Sequence, residues 1–594
     1  MNSIRRETRG SLVPAQPSSS VPFNSASELF GMEDREDLRS ILPYLPVVLR
    51  SSTLFWPSQV VEALKTLSRG PQHSRVDSGE VFFIAISDLR HSLSLSHSER
   101  LASTAADGYA LFFDDLMSRA EAAKWFGEAV PAMANLLLRL PSLLESHYEN
   151  ADGNGGRTSL RILESQEQGI VFLSQELIGA LLACSFFCLF PITNRGAKHL
   201  PMINFDHLFA SLYDSYNEMQ ENKIKCITHY FERICSCMPV GVVSFERKVL
   251  PLENSFPCVS YPKADFWSTS SISLCRFKVY RSGLIEDQSC EALEVDFANK
   301  YLGGGALHRG CVQEEIRFMI NPELIAGMLF LPSMADNEAI EIIGAERFSN
   351  YTGYASSFRF SGDNVDKRDL DLMGRHKTRI VAIDALCRPG KRQFGQECLL
   401  REINKAFCGF FGQSKCQQYQ RLFQDDKFCR DQIDQDVKGL IGICRDSHLL
   451  REAPSTSSES NQGMFGDEAR RTSEETYSQH VVHEDKIGIV TGNWGCGAFG
   501  GDPELKATIQ WLAASQALRP FISYYTFSVE ALETLDQVTR WIRSHEWTVR
   551  ELWNMLVDYS SQRLKGETNL GFFSWLLPSL YTCDAVMLDV PQTL

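Results

Sequence analysis

No run of apolar residues in the chain is long enough to cross a bilayer. The most hydrophobic stretch, residues 177–190, is 14 residues long and is stopped by Pro191, whereas a spanning helix takes about 20. It reads as a buried helix of a folded protein. Excess positive charge is also missing. The formal net charge is −15, which disfavours loose attachment to nucleic acid or anionic membrane, since both require a positive face. The one basic cluster, Arg375, Lys377, Arg379, Arg388, Lys391 and Arg392, reads as a solvated surface run. No direct nucleic-acid binding and no membrane association are expected. The 17 cysteines are scattered, and pairs such as Cys184/Cys188 and Cys235/Cys237 have no partners at zinc-ligand spacing. Neither a metal nor any other cofactor is expected. A secretory leader is not expected either, because Arg5, Arg6 and Arg9 have no apolar core segment behind them. The chain is expected to stay inside the cell with its thiols reduced.

What is present is an ordinary globular composition, 44% hydrophobic and 22% charged, in 594 residues. That length exceeds a single hydrophobic core and implies at least two domains. Residues 1–33 are rich in Ser, Pro and Gly and read as a disordered leader. From 34 to 240 apolar residues recur at helical spacing, which predicts an all-helical accessory domain. From 241 to 594 the character changes. Short β-branched runs at 241–246, 293–298, 339–344, 378–384, 487–491 and 521–526 alternate with helical segments, which predicts an α/β layer fold ending in C-terminal helices. A Ser- and Glu-rich stretch at 452–485 reads as a disordered insertion within this second domain.

Two segments carry chemistry. In the first, a strand leads into Asn493, Trp494, Gly495, Cys496, Gly497, Ala498 and Phe499, then Gly500 and Gly501, before Asp502 and Pro503 open a helix. A glycine loop at a helix N-terminus can turn several N–H groups toward a diphosphate. No Gly-Lys-Ser/Thr follows, so it is not a triphosphate loop, and by itself it is equally a tight strand-to-helix connection. In the second, Asp296 and Asn299 close a strand, on the edge where α/β sheets bind ligands. Gly303, Gly304 and Gly305 follow, three positions where the backbone can approach a ligand closely. Then come Gln313, Glu314 and Glu315. Glycosidic hydrolysis needs a proton donor for the leaving oxygen and a base for water. A glutamate beside a second carboxylate in a partly dry pocket keeps its proton to higher pH, as such a donor requires. Adjacent glutamates alone would merely complement a helix dipole; the glycine triplet beside them favours a site.

These residues resemble the signature of the poly(ADP-ribose) glycohydrolases, with a plant-like cast. The resemblance extends to Asn321, Pro322, Glu323 and Leu324, to Tyr351 through Tyr354, to Ala382 through Ala385 and to residues 493–501. It implies an α/β macrodomain, a mixed sheet between helices, preceded by the all-helical accessory domain. It implies exo hydrolysis of the ribose–ribose bonds of poly(ADP-ribose), free or on modified proteins, releasing ADP-ribose. Carried over by position, Glu315 is the acid and then the base, with Glu314 and Asp296 holding the ribose and the catalytic constellation. Gln313, Asn299, Tyr351 and Tyr354 are implied substrate contacts, with Gly303, Gly304 and Gly305. Ile285 and Glu286 match the adenine-recognition position, residues 493–499 the diphosphate loop, and Phe527 the aromatic that stacks on adenine. The resemblance further implies a role in poly(ADP-ribose) turnover after DNA damage, in nucleus, cytoplasm or both; a monomer is expected. The alternative is a macrodomain that binds ADP-ribose without cleaving it. Such a reader has no use for the Glu314 and Glu315 pair.

Overall fold

A computed structural model describes residues 31–95, 99–152, 158–253, 259–288, 291–412 and 486–578. The expected insertion at 452–485, and the expected leader up to residue 30, lie outside the described residues. A short hairpin, β1 (Val48–Arg50) with β2 (Thr53–Phe55), introduces a helical half built on helices Ser58–Leu67, Gly79–Ser92, Val130–Asp152, Gln175–Phe186 and Glu218–Ser236. The most hydrophobic of these, Gln175–Phe186, is started by Ser174, whose hydroxyl accepts from the Leu177 N–H, and all its residues from Leu177 to Phe186 are buried. Its surroundings are aromatic: Phe82, Tyr109, Phe113, Phe205, Phe209 and Phe231 pack within one cluster around Phe186.

The half expected to be purely helical also supplies a strand, β3 (Gly169–Ser174), to the main sheet. The remaining strands are β4 (Val242–Val249), β5 (Arg276–Tyr280), β6 (Ala292–Asp296), β7 (Glu338–Ile343), β8 (Ser349–Thr352), β9 (Arg359–Asp363), β10 (Arg379–Ala382), β11 (Gly488–Gly492) and β12 (Phe521–Tyr525). β8 and β9 pair apart as a hairpin, while the other eight run in the order β3-β4-β7-β10-β6-β11-β12-β5. Strands β10, β6, β11, β12 and β5 are mutually parallel; β7, β4 and β3 continue antiparallel.

Strands β6, β7, β10 and β11 are buried along their whole length, as central strands covered on both faces must be. Side chains alternate across the sheet. Leu293 and Val295 face one core with the Gln396–Phe410 and Pro503–Gln516 helices. Ile380 and Ala382 face the other, which is continuous with the helical half from Leu38 onward. Glu294 and Asp296 therefore fall on the face opposite Leu293 and Val295, toward the Gln313–Ile320 helix.

The basic cluster read from sequence as a solvated run is in part structural. Arg375 is buried, paired with Asp371 and donating to the Ser244 hydroxyl at 2.7 Å. Arg379 is buried against Glu291 and Glu341. The register of β10 places Arg379 inside, and the turn closed by Asp371 places Arg375 there; spacing along the chain reveals neither.

Candidate active site

The parallel strands bring their C-terminal ends to one edge of the sheet. Ala382 lies opposite Asp296, Gly492 opposite Tyr525, and Tyr525 opposite Tyr280. Segments that are far apart in sequence thus leave the sheet side by side: residues 297–312 after β6, 493–502 after β11 and 526–528 after β12.

The Gln313–Ile320 helix starts beneath the first of these loops, and its first turn organises it. The Gln313 side chain accepts from the Phe297 N–H at 2.8 Å and donates to the Val295 carbonyl at 3.1 Å. Expected as a substrate contact, it has both ends of its amide bonded to the end of β6. Glu314 is buried and accepts from the N–H groups of Asn299 at 2.8 Å and Gly303 at 2.7 Å. Glu315 accepts from Gly305 N–H through one oxygen and from Val312 N–H through the other, each at 2.9 Å. Of the triplet, Gly304 makes room for the two carboxylates, while Gly303 packs against Met328 and Phe318. A Cβ on Gly304, whose φ is +48°, would stand 2.5 Å from Glu314 Oε2 and 2.8 Å from Glu315 Oε1, and one on Gly310 would stand 2.6 Å from Glu315 Oε1. Any side chain there displaces the acid pair.

Asp296 is 1% exposed, and neither of its carboxylate oxygens has a hydrogen-bond partner among the described residues. Burial, and then the charge of Glu315, push its pKa up to about 8, against the opposing pull of Arg317. Its protonated form is favoured over that of an exposed carboxyl. Glu314 is raised as well, by burial first and then by Asp296 and Glu315, with the two N–H groups it accepts from working the other way.

On the next strand over, the glycine loop is nailed down from below. Trp494 is wholly buried, donates its indole N–H to the Ile383 carbonyl at 2.8 Å and lies under the Lys506 ammonium, 3.9 Å from the ring centroid. Its side chain, expected among the ligand contacts, is an anchor. Gly495 at φ +75° packs so tightly that a Cβ would meet Ala385 at 2.6 Å. The Asn493 side chain donates to the Thr526 carbonyl at 3.0 Å and accepts from the Tyr524 hydroxyl at 3.1 Å, tying the loop to the end of β12. Above these anchors Gly497 and Ala498 are exposed, with Cys496 and Phe499 half-buried. Asp502 caps the following helix by accepting from Leu505 N–H at 3.0 Å.

Phe527 stands at the same edge, 45% exposed and at φ +50°. Gly492, lacking a side chain, lets the Phe527 and Phe297 rings approach: a Cβ there would lie 3.2 Å from one and 3.6 Å from the other. Phe297 was not foreseen from sequence. Ile285 and Glu286 are buried in a short 3₁₀ turn. Glu286 accepts from the Tyr351 hydroxyl at 2.6 Å, and its carbonyl accepts from Arg368 at 2.7 Å. Tyr354 is 54% exposed beyond β8. Asn299 lies half-buried in the loop, its side chain accepting from Tyr301 N–H at 3.1 Å.

A mixed eight-stranded sheet flanked by helices behind a helical half, with carboxyl groups and a glycine loop at one edge, defines a macrodomain-type protein. Comparison with known proteins gives the family. Residues 264–534 match the family model described as poly(ADP-ribose) glycohydrolase, macro domain fold, and residues 117–247 match that family's helical domain. The chain belongs to the poly(ADP-ribose) glycohydrolase family. It is 63% identical to Poly(ADP-ribose) glycohydrolase 1 of Arabidopsis thaliana over 93% of this chain and 99% of that one. To Probable poly(ADP-ribose) glycohydrolase 2 of the same plant it is 53% identical, over 93% and 100%. A more distant relative, Poly(ADP-ribose) glycohydrolase 1 of Caenorhabditis elegans, is 30% identical over 52% of this chain and 32% of its own length.

Proposed function

We propose that the chain is a glycoside hydrolase of poly(ADP-ribose), with Glu315 as the group that moves the proton. The observation that carries this is the convergence, at one sheet edge, of a carboxyl cluster, a glycine loop at a helix N-terminus and an exposed aromatic ring. A non-catalytic reader requires only the last two. Glu315 protonates the ribose oxygen that leaves as the glycosidic bond breaks. It then takes a proton from the water that adds to the anomeric carbon, so donor and base are one group used twice. Its two N–H partners fix the carboxyl in one orientation. Glu314 acts through the loop, since its oxygens are committed to Asn299 and Gly303. Asp296, buried beside Glu314 and Glu315, would help hold the ribose and the carboxyl cluster.

The loop around Gly497 and Ala498 would take the diphosphate, Phe527 the adenine face and Glu286 the adenine edge. The family resemblance supports exo cleavage with release of ADP-ribose, action as a monomer, and residence in nucleus, cytoplasm or both as part of the response to DNA damage. No helix among the described residues is long and apolar enough to cross a membrane.

The test is to incubate the protein with poly(ADP-ribose), follow ADP-ribose by chromatography and measure ADP-ribose affinity by calorimetry. Native protein should release ADP-ribose, whereas Glu315→Gln should release none while binding it nearly as well. Near-normal turnover by Glu315→Gln would remove that residue from its role. Binding without release by the native protein would favour the reader.

A further inference from the structure

The helical half reaches into the candidate active site with one charged atom. Lys223, on the Glu218–Ser236 helix, is wholly buried, and its ammonium donates to the carbonyls of Gly310 at 2.6 Å, His308 at 2.7 Å and Gly305 at 3.5 Å. All three belong to the loop that wraps Glu315. Gly305 gives its N–H to Glu315 Oε1, and Gly310 leaves the space that same oxygen occupies. One turn earlier on the same helix face, Gln220 donates to the His308 carbonyl at 2.9 Å and to the Ser211 hydroxyl at 2.7 Å.

A buried ammonium is costly to desolvate, and such groups are ordinarily paired with a carboxylate. Lys223 makes no ion pair among the described residues. Burial pushes it down to about 8, with Cys311 and Glu315 drawing it partly back. An apolar side chain in the same space would leave these three carbonyls without the Lys223 donor. The charge is retained where it gathers three carbonyls of one short glycine-flanked loop, a segment with little intrinsic rigidity.

We propose that Lys223 is a positioning residue for Glu315. From the helical half it fixes the 305–310 backbone so that the Gly305 N–H and the open side of Gly310 hold the Glu315 carboxyl in its reactive orientation. The helical half is then part of the catalytic apparatus, not only a covering for the sheet. This rests on the assignment of Glu315 to proton transfer, and the two fail separately. If Glu315→Gln stays active, that assignment falls. If Glu315→Gln is dead and loosening the Lys223 contacts costs nothing, only the present proposal falls.

The experiment uses the full chain carrying Lys223→Met, which keeps the length and removes the donors. Steady-state hydrolysis of poly(ADP-ribose), ADP-ribose calorimetry and thermal melting are read together. The expected result is a cooperative melt, with KM and ADP-ribose Kd within about threefold of native and kcat lowered roughly tenfold to a hundredfold, the scale for a misplaced reacting group. A purely structural role would lower the melting temperature and the active fraction, and ADP-ribose binding stoichiometry would fall in step with kcat. That outcome, or an unchanged kcat, overturns the proposal. If Lys223→Met does not melt cooperatively, Gln220→Met provides the second reading. It removes the neutral bonds to His308 and to Ser211, leaves the Lys223 contacts in place, and should lower kcat by a smaller factor at constant KM; an unaltered kcat there overturns the proposal as well.

Discussion

At Asp296 the cost of building a dry site is written in one side chain. Its carboxyl is buried without partners among the described residues and its pKa is pushed up to about 8, while an unfolded chain would ionise it near 3.9. Between those values the folded state holds a proton that the unfolded state has released. Stability attributable to this group therefore falls as pH rises from about 4 to about 8 and is level above that. Asp296→Asn removes the penalty while keeping the shape. The variant should melt above the native protein at pH 8, with the difference shrinking toward pH 5, and its turnover should fall because the carboxyl that helps hold the ribose is lost. Melting curves at the two pH values check the first part; a difference that does not grow with pH would show that Asp296 is ionised in the folded protein.

At the scale of the element, the loop between β6 and the Gln313–Ile320 helix is built around two carboxylates. Gly304→Ala places a methyl within 3 Å of both Glu314 and Glu315 at a positive φ, so either the acids move or the loop does. A non-glycine residue at such a φ costs about 1–3 kcal/mol, and kcat should fall by roughly a hundredfold, as for a misplaced reacting group. Gly497→Ala, in the other glycine loop, has nothing within 4 Å of the new methyl and should leave the melting temperature unchanged. Equal melting temperatures for the two variants would contradict this account of the triplet.

The same loop shows what the sequence could and could not reveal. The central strands were legible from short runs rich in Ile, Leu and Val, even though β6, β7 and β10 also bury charged side chains. β5 was not, since Arg276 and Lys278 interrupt it, and β8 and β9 are too polar to announce themselves. Asp296, Glu314 and Glu315 were legible as a cluster from their spacing to the glycines. Which residues serve the fold and which face the cleft depends on three-dimensional neighbours. The inward anchoring of the Gln313 and Trp494 side chains, and the approach of Lys223 to the 305–310 loop, are set by such neighbours and not by spacing along the chain.

Across the whole molecule, the division near residue 240 is a change of sequence character and not a gap in packing. β3 pairs with β4 along six residue pairs, from Gly169 with Arg247 to Ser174 with Val242. One core runs from Leu38 through Phe186 and Phe231 to Val243, Phe245, Ile340 and Ile342. The buried Arg247 is held by Glu338 within the sheet, but its guanidinium also donates to the Leu163 carbonyl at 3.1 Å. A chain cut to begin at residue 241 would bare one face of β4 and β7, leave β4 as an unpaired apolar edge and strip Arg247 of a partner. Such an edge invites association, and each large apolar side chain returned to water loses about 1.5–3 kcal/mol. Since whole domains have only about 5–15 kcal/mol in hand, the shortened chain should show no cooperative melt and should elute as aggregate in size-exclusion chromatography. A soluble fragment with a sharp transition would mean that the catalytic half folds alone, and that the helical half is needed only where Lys223 meets the loop.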